Sequence, residues 1–234
     1  MNNSGSATPE EIAAIGVFAG LPSDALQDLA RAASRRPLRA GELVFRQGDR
    51  PARFHALLSG WVRIQQAGTD GELSVIRFVG PGELFGSFAM FAGDGYPADA
   101  SAAGEAVELS WTEAQIRKLM ARHSEVAVNL VTVAARRLAE LQERLREIST
   151  QPAEQRIANA LLRLAQKAGQ QAANGQVDIV LPFVRKDLAA MSATTFYTAS
   201  RVMSGWQRKG IAVTSGRRVS ILAPAELRRI AEGC

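Results

Sequence analysis

The segment R-K-D-L-A-A-M-S-A-T-T-F-Y-T-A-S-R, residues 185–201, combines apolar residues at helical spacing with hydroxyl, aromatic and guanidinium groups. Leu188 and Met191 supply the apolar positions of a first helix, and Ser192-Ala193 supplies a turn. The hydroxyls of Thr194 and Thr195 are suited to cap the start of a second helix. This spacing predicts a helix-turn-helix. The outward face of its second helix is predicted to carry Thr195, Phe196, Tyr197, Ser200 and Arg201.

The outward residues have the chemistry needed to read base edges in a major groove. A guanidinium can donate two parallel hydrogen bonds to O6 and N7 of guanine, so Arg201 is the expected guanine reader. Ser200 is expected to add a hydrogen bond, and Phe196 or Tyr197 to contact a thymine methyl group. The segment therefore predicts sequence-specific contact with double-stranded DNA.

The charge of the chain is concentrated around this segment. Of the 28 Lys and Arg residues, 12 lie between Pro152 and Cys234, against only 5 of the 23 Asp and Glu residues. A basic third on a slightly acidic body favours a polyanionic partner. Phosphate contacts are expected from Arg185 and Lys186, and from Arg217 and Arg218 in a hairpin that follows the motif.

The elements around the motif predict a winged helix-turn-helix domain over residues 151–234. Gln151-Pro152 marks its start, because proline disfavours helix at the preceding residue. A helix over Ala153 to Ala168, a Gly/Asn-rich loop over 169–175 and a strand beginning at Val177 come before the motif. Two short apolar runs around residues 215–218 form the hairpin, or wing.

Upstream, the pattern predicts a helix over Glu113 to Arg122, a break near His123, and a long helix over residues 126–150. Apolar residues in the long helix alternate in steps of four and three, as in the a/d seam of a coiled coil. Packing of this helix on its own domain is the alternative. A two-fold DNA site needs two readers, so a homodimer is favoured. The expected seam comprises Ala127, Val131, Ala134, Leu138, Leu141, Leu145 and Ile148.

Residues 1–125 read as an antiparallel β-roll domain. Short runs with strand character, within 42–46, 54–58, 61–65 and 74–79, are separated by glycine-containing turns. A short amphipathic helix over Ser23 to Ala33 precedes them, with Ser23 or Asp24 as its expected cap. The chain as a whole is therefore expected to be α+β: a β-roll sensor, a dimerisation helix and a winged helix-turn-helix.

Several classes of protein are not expected. No apolar run approaches the roughly 20 residues of a membrane span, and the start lacks a secretion-signal pattern. The one cysteine, Cys234, cannot form a disulfide framework or a thiolate cluster. The sequence has no nucleophile elbow, GxxxxGK loop or histidine-rich metal spacing, so no catalytic or metal-ligating set is expected. A cytoplasmic location is the simple expectation.

The order of motifs resembles the cyclic-AMP-receptor and fumarate-nitrate-reductase-regulator (CRP/FNR) superfamily of bacterial regulators. The resemblance rests on the motif at 185–201, the long helix, and the segments Gly41 to Asp49, Leu58-Ser59-Gly60 and Pro81 to Gly86. The chain is most similar to the nitric-oxide-related NnrR and Dnr subgroup through residues 96–98, 109–111, 144–150 and 194–198. This resemblance implies a cyclic-nucleotide-binding-like roll, a homodimer, contact with RNA polymerase and control of denitrification genes.

The resemblance also implies an effector pocket. Its expected residues are Phe85, Gly86, Ser87, Phe88, Tyr96, Ala98 and Asp99. Ser87 and Phe88 stand where cyclic-nucleotide binders have glutamate and leucine, and Ala98-Asp99 stands where they have Arg-Ser. Because Asp99 would repel a cyclic phosphate, cyclic AMP is not expected to bind in the usual way.

The cofactor is unknown from the sequence, and the effector is an unidentified small molecule or gas. An iron–sulfur cluster is not expected, since it needs several N-terminal cysteines. Haem stays open, with only His55 and His123 as imidazole candidates. His55 is expected to be structural, and His123 to be solvated or a helix cap. Two alternatives remain: a roll that regulates a protein partner, and a cyclic-nucleotide-responsive regulator. A roll that regulates a protein partner would leave Arg201 and the basic wing without a role.

Overall fold

A computed structural model describes residues 6–68, 73–216 and 218–233. The chain forms two compact units. The first falls within Met1–Leu73 and Arg77–Ala139, and the second within Ser74–Ile76 and Glu140–Cys234. The division lies inside the long helix, which contributes to both units, and residues 74–76 of the strand Leu73–Val79 also belong to the second unit. The three-part division at residues 125 and 150 stays a prediction.

The first unit contains two four-stranded sheets, and its helices come before, between and after the strands along the chain. Its elements are α1 (Pro9–Ala13), α2 (Ser23–Ala32), β1 (Ser34–Leu38), β2 (Leu43–Phe45), β3 (Arg53–Ser59), β4 (Val62–Ala67), β5 (Leu73–Val79), β6 (Leu84–Phe85), α3 (Ala89–Ala92), β7 (Asp99–Ala102), β8 (Ala106–Thr112), α4 (Glu113–Arg122) and α5 (Ser124–Thr150). The strand orders are β1-β8-β3-β6 and β2-β7-β4-β5. The pairs β1–β8, β3–β8, β3–β6, β2–β7 and β4–β7 run antiparallel, so the predicted antiparallel roll is confirmed.

Aromatic side chains fill the core of the first unit. Trp111 packs edge-on against Phe18 and Phe54, and its indole Nε1 donates to the carbonyl oxygen of Leu29 at 2.9 Å. The indole N–H is therefore satisfied inside an otherwise apolar cluster, as burial of this group requires. These contacts hold α2 against β8.

The four predicted strand segments are all present, and the break between α4 and α5 falls at His123 as expected. The expected cap of α2 is wrong. Ser23 is already the first helical residue, and Pro22 occupies the cap position without a side-chain hydrogen bond. Strands β1, β6, β7 and β8 were not predicted. The residues of β1 and β7 are mainly charged or small, and β6 has only two residues. Strand β8 does alternate, with Val107, Leu109 and Trp111 as its apolar residues, and was missed.

The second unit contains the C-terminal part of α5 and a compact helix–sheet arrangement. Its elements are α6 (Ala153–Ala168), β9 (Gly169–Gln171), β10 (Val177–Ile179), α7 (Arg185–Met191), α8 (Phe196–Arg208), β11 (Ala212–Ser215), β12 (Arg218–Ile221) and α9 (Pro224–Glu232). The strands form one sheet in the order β11-β12-β10-β9, with antiparallel pairs throughout. The predicted helix over 153–168, the two helices of the motif and the wing hairpin are confirmed. The segment 169–171, predicted as loop, is the short strand β9.

Candidate nucleic-acid interface and effector cavity

The second helix of the motif, α8, begins at a side-chain cap. Thr195 is the N-cap residue, and its Oγ1 accepts a hydrogen bond from the backbone N–H of Thr198 at 3.1 Å. This contact satisfies one of the backbone donors that every helix start leaves unpaired. Thr195 is thus held at the point where the outward face begins.

The packed side of the motif fixes the angle between its helices. Leu188 and Ala189 on α7 and Ala199 on α8 are buried, as the sequence pattern predicted. The apolar residues Met191 and Val202, also expected on the packed side, are half-buried, and Met203 is the buried residue next to Val202. At the far end of α8, Trp206 is buried and its Nε1 donates to Glu154 Oε1 on α6 at 2.8 Å. The recognition helix is therefore fixed to α6 as well as to α7.

An arginine that the sequence reasoning missed secures the turn of the motif. Arg156 on α6 donates from Nε to the carbonyl oxygen of Ser192 at 2.9 Å and from Nη2 to that of Ala193 at 3.0 Å. Its Nη1 donates to the carbonyl oxygen of Gln151 at 2.6 Å. Ala193 has a φ of 49°, in the left-handed region that side-chain-bearing residues rarely adopt. No local signal predicts the contact of Arg156 with the turn, because the Ser192 and Ala193 carbonyls lie 36 and 37 residues further along the chain.

Four of the five predicted base-reading side chains are exposed: Thr195, Phe196, Tyr197 and Arg201. Tyr197 is 75% exposed and Phe196 58%. Ser200 departs from the expectation. It is half-buried, and its Oγ is buried with no hydrogen-bond partner among the described residues. The expectation that the Ser200 hydroxyl faces outward is wrong, because the packing of α8 turns that atom away from solvent.

The residues expected to contact phosphates lie at the start of α7 and on the wing. Lys186 is exposed and Arg185 half-buried in the first turn of α7, and Arg218 is exposed at the start of β12. Asp187 is buried, and its Oδ2 accepts from the backbone N–H of Val184 at 3.0 Å, which caps α7. Arg217 lies outside the described residues.

The predicted seam of α5 is an exposed apolar stripe in the single chain. Five of its residues are between 50 and 68% exposed: Val131, Leu138, Leu141, Leu145 and Ile148. Ala127 and Ala134 are half-buried. Val126 and Leu130 are buried, so the helix already packs through another side. Packing of the seam on its own domain does not fit this burial, and Val128, 63% exposed, extends the stripe beyond the predicted set.

The first unit contains a cavity of about 180 Å³ at the predicted effector position. Six of the seven predicted residues line it: Phe85, Gly86, Ser87, Phe88, Tyr96 and Ala98. Gly86 has a φ of 66°, and a Cβ there would lie 2.7 Å from the ring of Phe45. Phe45 stacks on Tyr96 with ring centroids 3.7 Å apart. Glycine is therefore required for this wall to close.

Asp99 does not line the cavity, so that part of the pocket prediction is wrong. Asp99 begins β7, and its Oδ1 accepts a hydrogen bond from the backbone N–H of Gln47 at 2.6 Å. The carboxylate thus connects the start of β7 to the turn that contains Gln47. This contact does not test whether cyclic AMP binds, and the expectation that it does not bind in the usual way stays a prediction.

Two arginines that the sequence reasoning missed contribute to the cavity wall. Arg77 comes from β5 and Arg137 from α5. Arg77 Nη1 and Arg137 Nη2 lie 3.0 and 3.1 Å from the same oxygen, Oε2 of Glu83. One carboxylate therefore bridges the roll and the long helix within the first unit, with two guanidinium groups at the edge of an otherwise mainly apolar space.

His55 is part of a buried ion-pair network. Its Nδ1 lies 3.1 Å from Glu108 Oε2, and Arg36 Nε donates to Glu108 Oε1 at 2.7 Å. Burial raises the pKa of the Glu108 carboxyl, but the hydrogen bond and charge of His55, together with Arg36, outweigh burial and lower the pKa below its ordinary value. The imidazole also contacts the rings of Phe85 and Phe45, at centroid distances of 5.1 and 5.5 Å. The structure gives His55 a structural role.

His123 follows the last residue of α4 and is its C-cap, as one form of the prediction had it. The other form, a solvated histidine, is wrong because His123 is buried. Its Nε2 lies 3.0 Å from Asp28 Oδ2. This hydrogen bond, helped by the charges of Arg122 and Arg31, lowers the pKa of the Asp28 carboxyl despite an opposing contribution from burial.

Haem does not fit the cavity in this conformation. The described lining contains neither histidine nor cysteine, and a volume of about 180 Å³ is below the roughly 300 Å³ at which ordinary ligand pockets begin. His55 is committed to Glu108 and to two aromatic rings. In the ranges that the structure describes, no group of three or more His, Cys, Asp and Glu side chains is placed to hold a metal ion.

A winged helix-turn-helix with exposed reader residues, in one chain with a β-roll and a long helix that carries an exposed apolar stripe, is the arrangement of a DNA-binding transcription regulator. Comparisons with known proteins agree. Residues 35–123 match the cyclic nucleotide-binding domain family, and residues 155–230 match the Crp-like helix-turn-helix domain family. Among the described helices, none is long and apolar enough to cross a membrane.

Whole-chain relatives are regulators of the same kind. The nitrogen fixation regulation protein FixK of Rhizobium meliloti is 30% identical over 81% of this chain and 83% of its own. The CRP-like cAMP-activated global transcriptional regulator of Mycobacterium tuberculosis is 25% identical over 94% of this chain and 98% of its own. The structure of FixK2 from Bradyrhizobium japonicum, 22% identical, shares the fold with a TM-score of 0.73 over 85% of this chain and 96% of that chain.

The chain belongs to the CRP/FNR family of transcription regulators. The relatives are regulators and not enzymes. Members of the family bind DNA, act as dimers and typically contact RNA polymerase.

Proposed function

We propose that this protein is a homodimeric, effector-responsive regulator that binds an inverted-repeat operator. The observation that carries the proposal is the exposed face of α8, on which Arg201 and Tyr197 project from a helix anchored at both ends. Contact of the exposed stripe on α5 with its copy would supply the second reader. Two readers related by a two-fold axis favour half-sites about one helical turn apart, roughly 34 Å.

Within this proposal Arg201 reads guanine, while Arg185, Lys186, Arg217 and Arg218 contact phosphates. Thr195 and Phe196, both exposed at the start of α8, are proposed to contact base edges beside Tyr197. A regulator of this class works in the compartment that contains the DNA, so a cytoplasmic location and contact with RNA polymerase are parts of the same proposal.

Selection from a random DNA library with the full-length protein tests the operator. The selected sequences should contain inverted repeats, and footprinting should show symmetric protection of both half-sites. Arg201→Ala should lose preference at one base pair in each half-site. Salt-sensitive binding without enrichment of any sequence would overturn the proposal.

The effector is proposed to bind the cavity lined by Phe85, Tyr96, Arg77 and Arg137. Its mainly apolar wall and small volume favour a compact ligand, and the two arginines favour an anionic group that could share or replace their contact with Glu83. A ligand that binds more tightly to the protein with its reader helices in one orientation would increase the population of that conformation.

Nitrogen-oxide and denitrification control remains the proposed role, on the strength of the NnrR- and Dnr-like residues. Cyclic nucleotide control is the alternative, supported by the domain match at residues 35–123. Titration of the selected operator with protein, in the presence and absence of cyclic AMP, separates the two. An increase in DNA affinity that is lost in Arg77→Ala would favour the nucleotide.

Haem binding is tested separately. A stoichiometric Soret band on reconstitution would show that the protein takes up haem. The same DNA titration with and without nitric oxide would then test whether nitric oxide changes the affinity for DNA.

A further inference from the structure

Two large aromatic side chains are exposed at the start of the reader helix. Tyr197 is 75% exposed and Phe196 58%, although they occupy the first two positions of α8. Within the described part of the chain, neither ring stacks on another aromatic ring or makes a hydrogen bond. Packing within the domain therefore does not account for two exposed aromatic rings, and their position on a basic domain needs another explanation.

Tyr197 lies on the same face of α8 as Arg201. The two residues are four positions apart, which places one about 6 Å along the axis from the other on one side of an α-helix. Base pairs are stacked about 3.4 Å apart, so Tyr197 would reach a base within about two steps of the guanine that Arg201 reads. Ser200 does not compete for this position, because its Oγ is buried.

The ring carbons of Tyr197 and Phe196 have no donor or acceptor pattern to match a base edge, and the Tyr197 hydroxyl is the one hydrogen-bonding group on the two side chains. The apolar group that the major groove offers is the C5-methyl of thymine. Charge favours DNA as the occupant, since Arg201, Lys186 and Arg218 are exposed on the same domain.

We propose that Tyr197, with Phe196 beside it, selects the operator by contact with a thymine methyl group within about two base pairs of the Arg201 guanine. This inference rests on the proposed function, because it assumes that α8 enters the major groove. It adds a specificity determinant that is apolar and does not depend on a hydrogen bond.

Replacement of single thymines by deoxyuridine tests the inference, because it deletes the methyl group and keeps every hydrogen-bonding atom. Full-length protein is titrated on the selected operator with thymine or deoxyuridine at each position. We expect about a fourfold loss of affinity at one position per half-site, the value for removal of one buried methyl-sized group. That position should lie within two base pairs of the guanine.

The variants assign the contact. Tyr197→Ala should bind thymine and deoxyuridine operators equally, whereas Tyr197→Phe, which keeps the ring, should retain the discrimination. Phe91→Ala removes an exposed ring in the first unit and should change nothing. Circular dichroism confirms that each variant is folded.

Three outcomes would overturn the inference. Wild-type protein could bind both operators equally, Tyr197→Phe could behave as Tyr197→Ala, or the discrimination could survive in Tyr197→Ala. In each case selection would still yield a specific operator. Failure of the proposed function is different, because selection would then enrich no sequence at all.

Discussion

Arg156 Nε donates a hydrogen bond to the backbone carbonyl oxygen of Ser192 at 2.9 Å, which ties α6 to the turn between α7 and α8. The same guanidinium reaches Ala193 and Gln151. One side chain thus satisfies three carbonyl groups that do not belong to its own helix turn. The orientation of the reader helix depends on a residue that would not contact DNA.

Replacement of Arg156 should therefore destabilise the second unit. Arg156→Ala is expected to lower the free energy of unfolding by about 2 kcal/mol, because hydrogen bonds from a charged donor are lost and the carbonyl acceptors become unpaired. Urea denaturation followed by tryptophan fluorescence measures this loss, since Trp206 lies in the same unit. Arg228→Ala, which removes an exposed arginine, is the matched control. Equal midpoints for the two variants would contradict the role of Arg156.

Ala193 carries backbone strain that glycine would relieve. An alanine with a φ of 49° costs on the order of 1–2 kcal/mol, and glycine avoids this cost while losing about 0.5–1 kcal/mol through the greater freedom of its unfolded chain. Ala193→Gly is thus expected to stabilise the protein by up to about 1 kcal/mol. Ala190→Gly, in the helical part of α7, should instead destabilise it by about 1 kcal/mol. Denaturation midpoints that move in the same direction for both variants would contradict the assignment of strain.

The helices of the motif, α6 and the wing could be predicted from sequence because their signals are local. Apolar spacing, the Thr195 cap and Gln151-Pro152 each act within a few residues. Arg156, Arg77 and Arg137 could not be found in this way, because their partners are set by the tertiary fold. Asp99 and Ser200 were misplaced for a related reason: their residue types suit the predicted role, but packing and a distant backbone donor decide where their oxygens point.

Removal of the Arg201 guanidinium should weaken specific binding more than non-specific binding. Arg201→Ala is expected to cost about 1–3 kcal/mol on the operator and to relax preference at one base pair. Lys186→Ala should weaken specific and random DNA alike and reduce the salt dependence. Titrations of operator and random DNA at several salt concentrations distinguish the effects of the two variants. Equal losses for Arg201→Ala on the two DNAs would reassign Arg201 to the backbone.

A charge placed in the α5 stripe should separate the dimer. Leu141→Glu would bury an unpaired carboxylate against the partner helix, which is expected to weaken dimerisation by about 3–5 kcal/mol. Gln142→Glu adds the same charge at the neighbouring exposed position and should leave the dimer intact. Sedimentation velocity at micromolar concentration gives the mass of each variant. A fully dimeric Leu141→Glu would show that the stripe is not the seam.

The buried pair of Glu108 and His55 should make the first unit sensitive to acid. The folded-state pKa of Glu108 is lowered from its ordinary value, so the stabilisation from its ionised form is present above the unfolded pKa and is lost as pH falls through the folded pKa. Glu108→Gln should remove about 2 kcal/mol at neutral pH, since Arg36 and His55 lose a charged partner, and its acid limb should be flatter than that of the wild type. Glu113→Gln, which changes an exposed carboxylate in a surface pair with Arg117, is the control. Thermal unfolding between pH 3 and pH 7 compares the three proteins. If wild type and Glu108→Gln lose stability in parallel as the pH falls, the carboxylate responsible for acid sensitivity lies elsewhere in the chain.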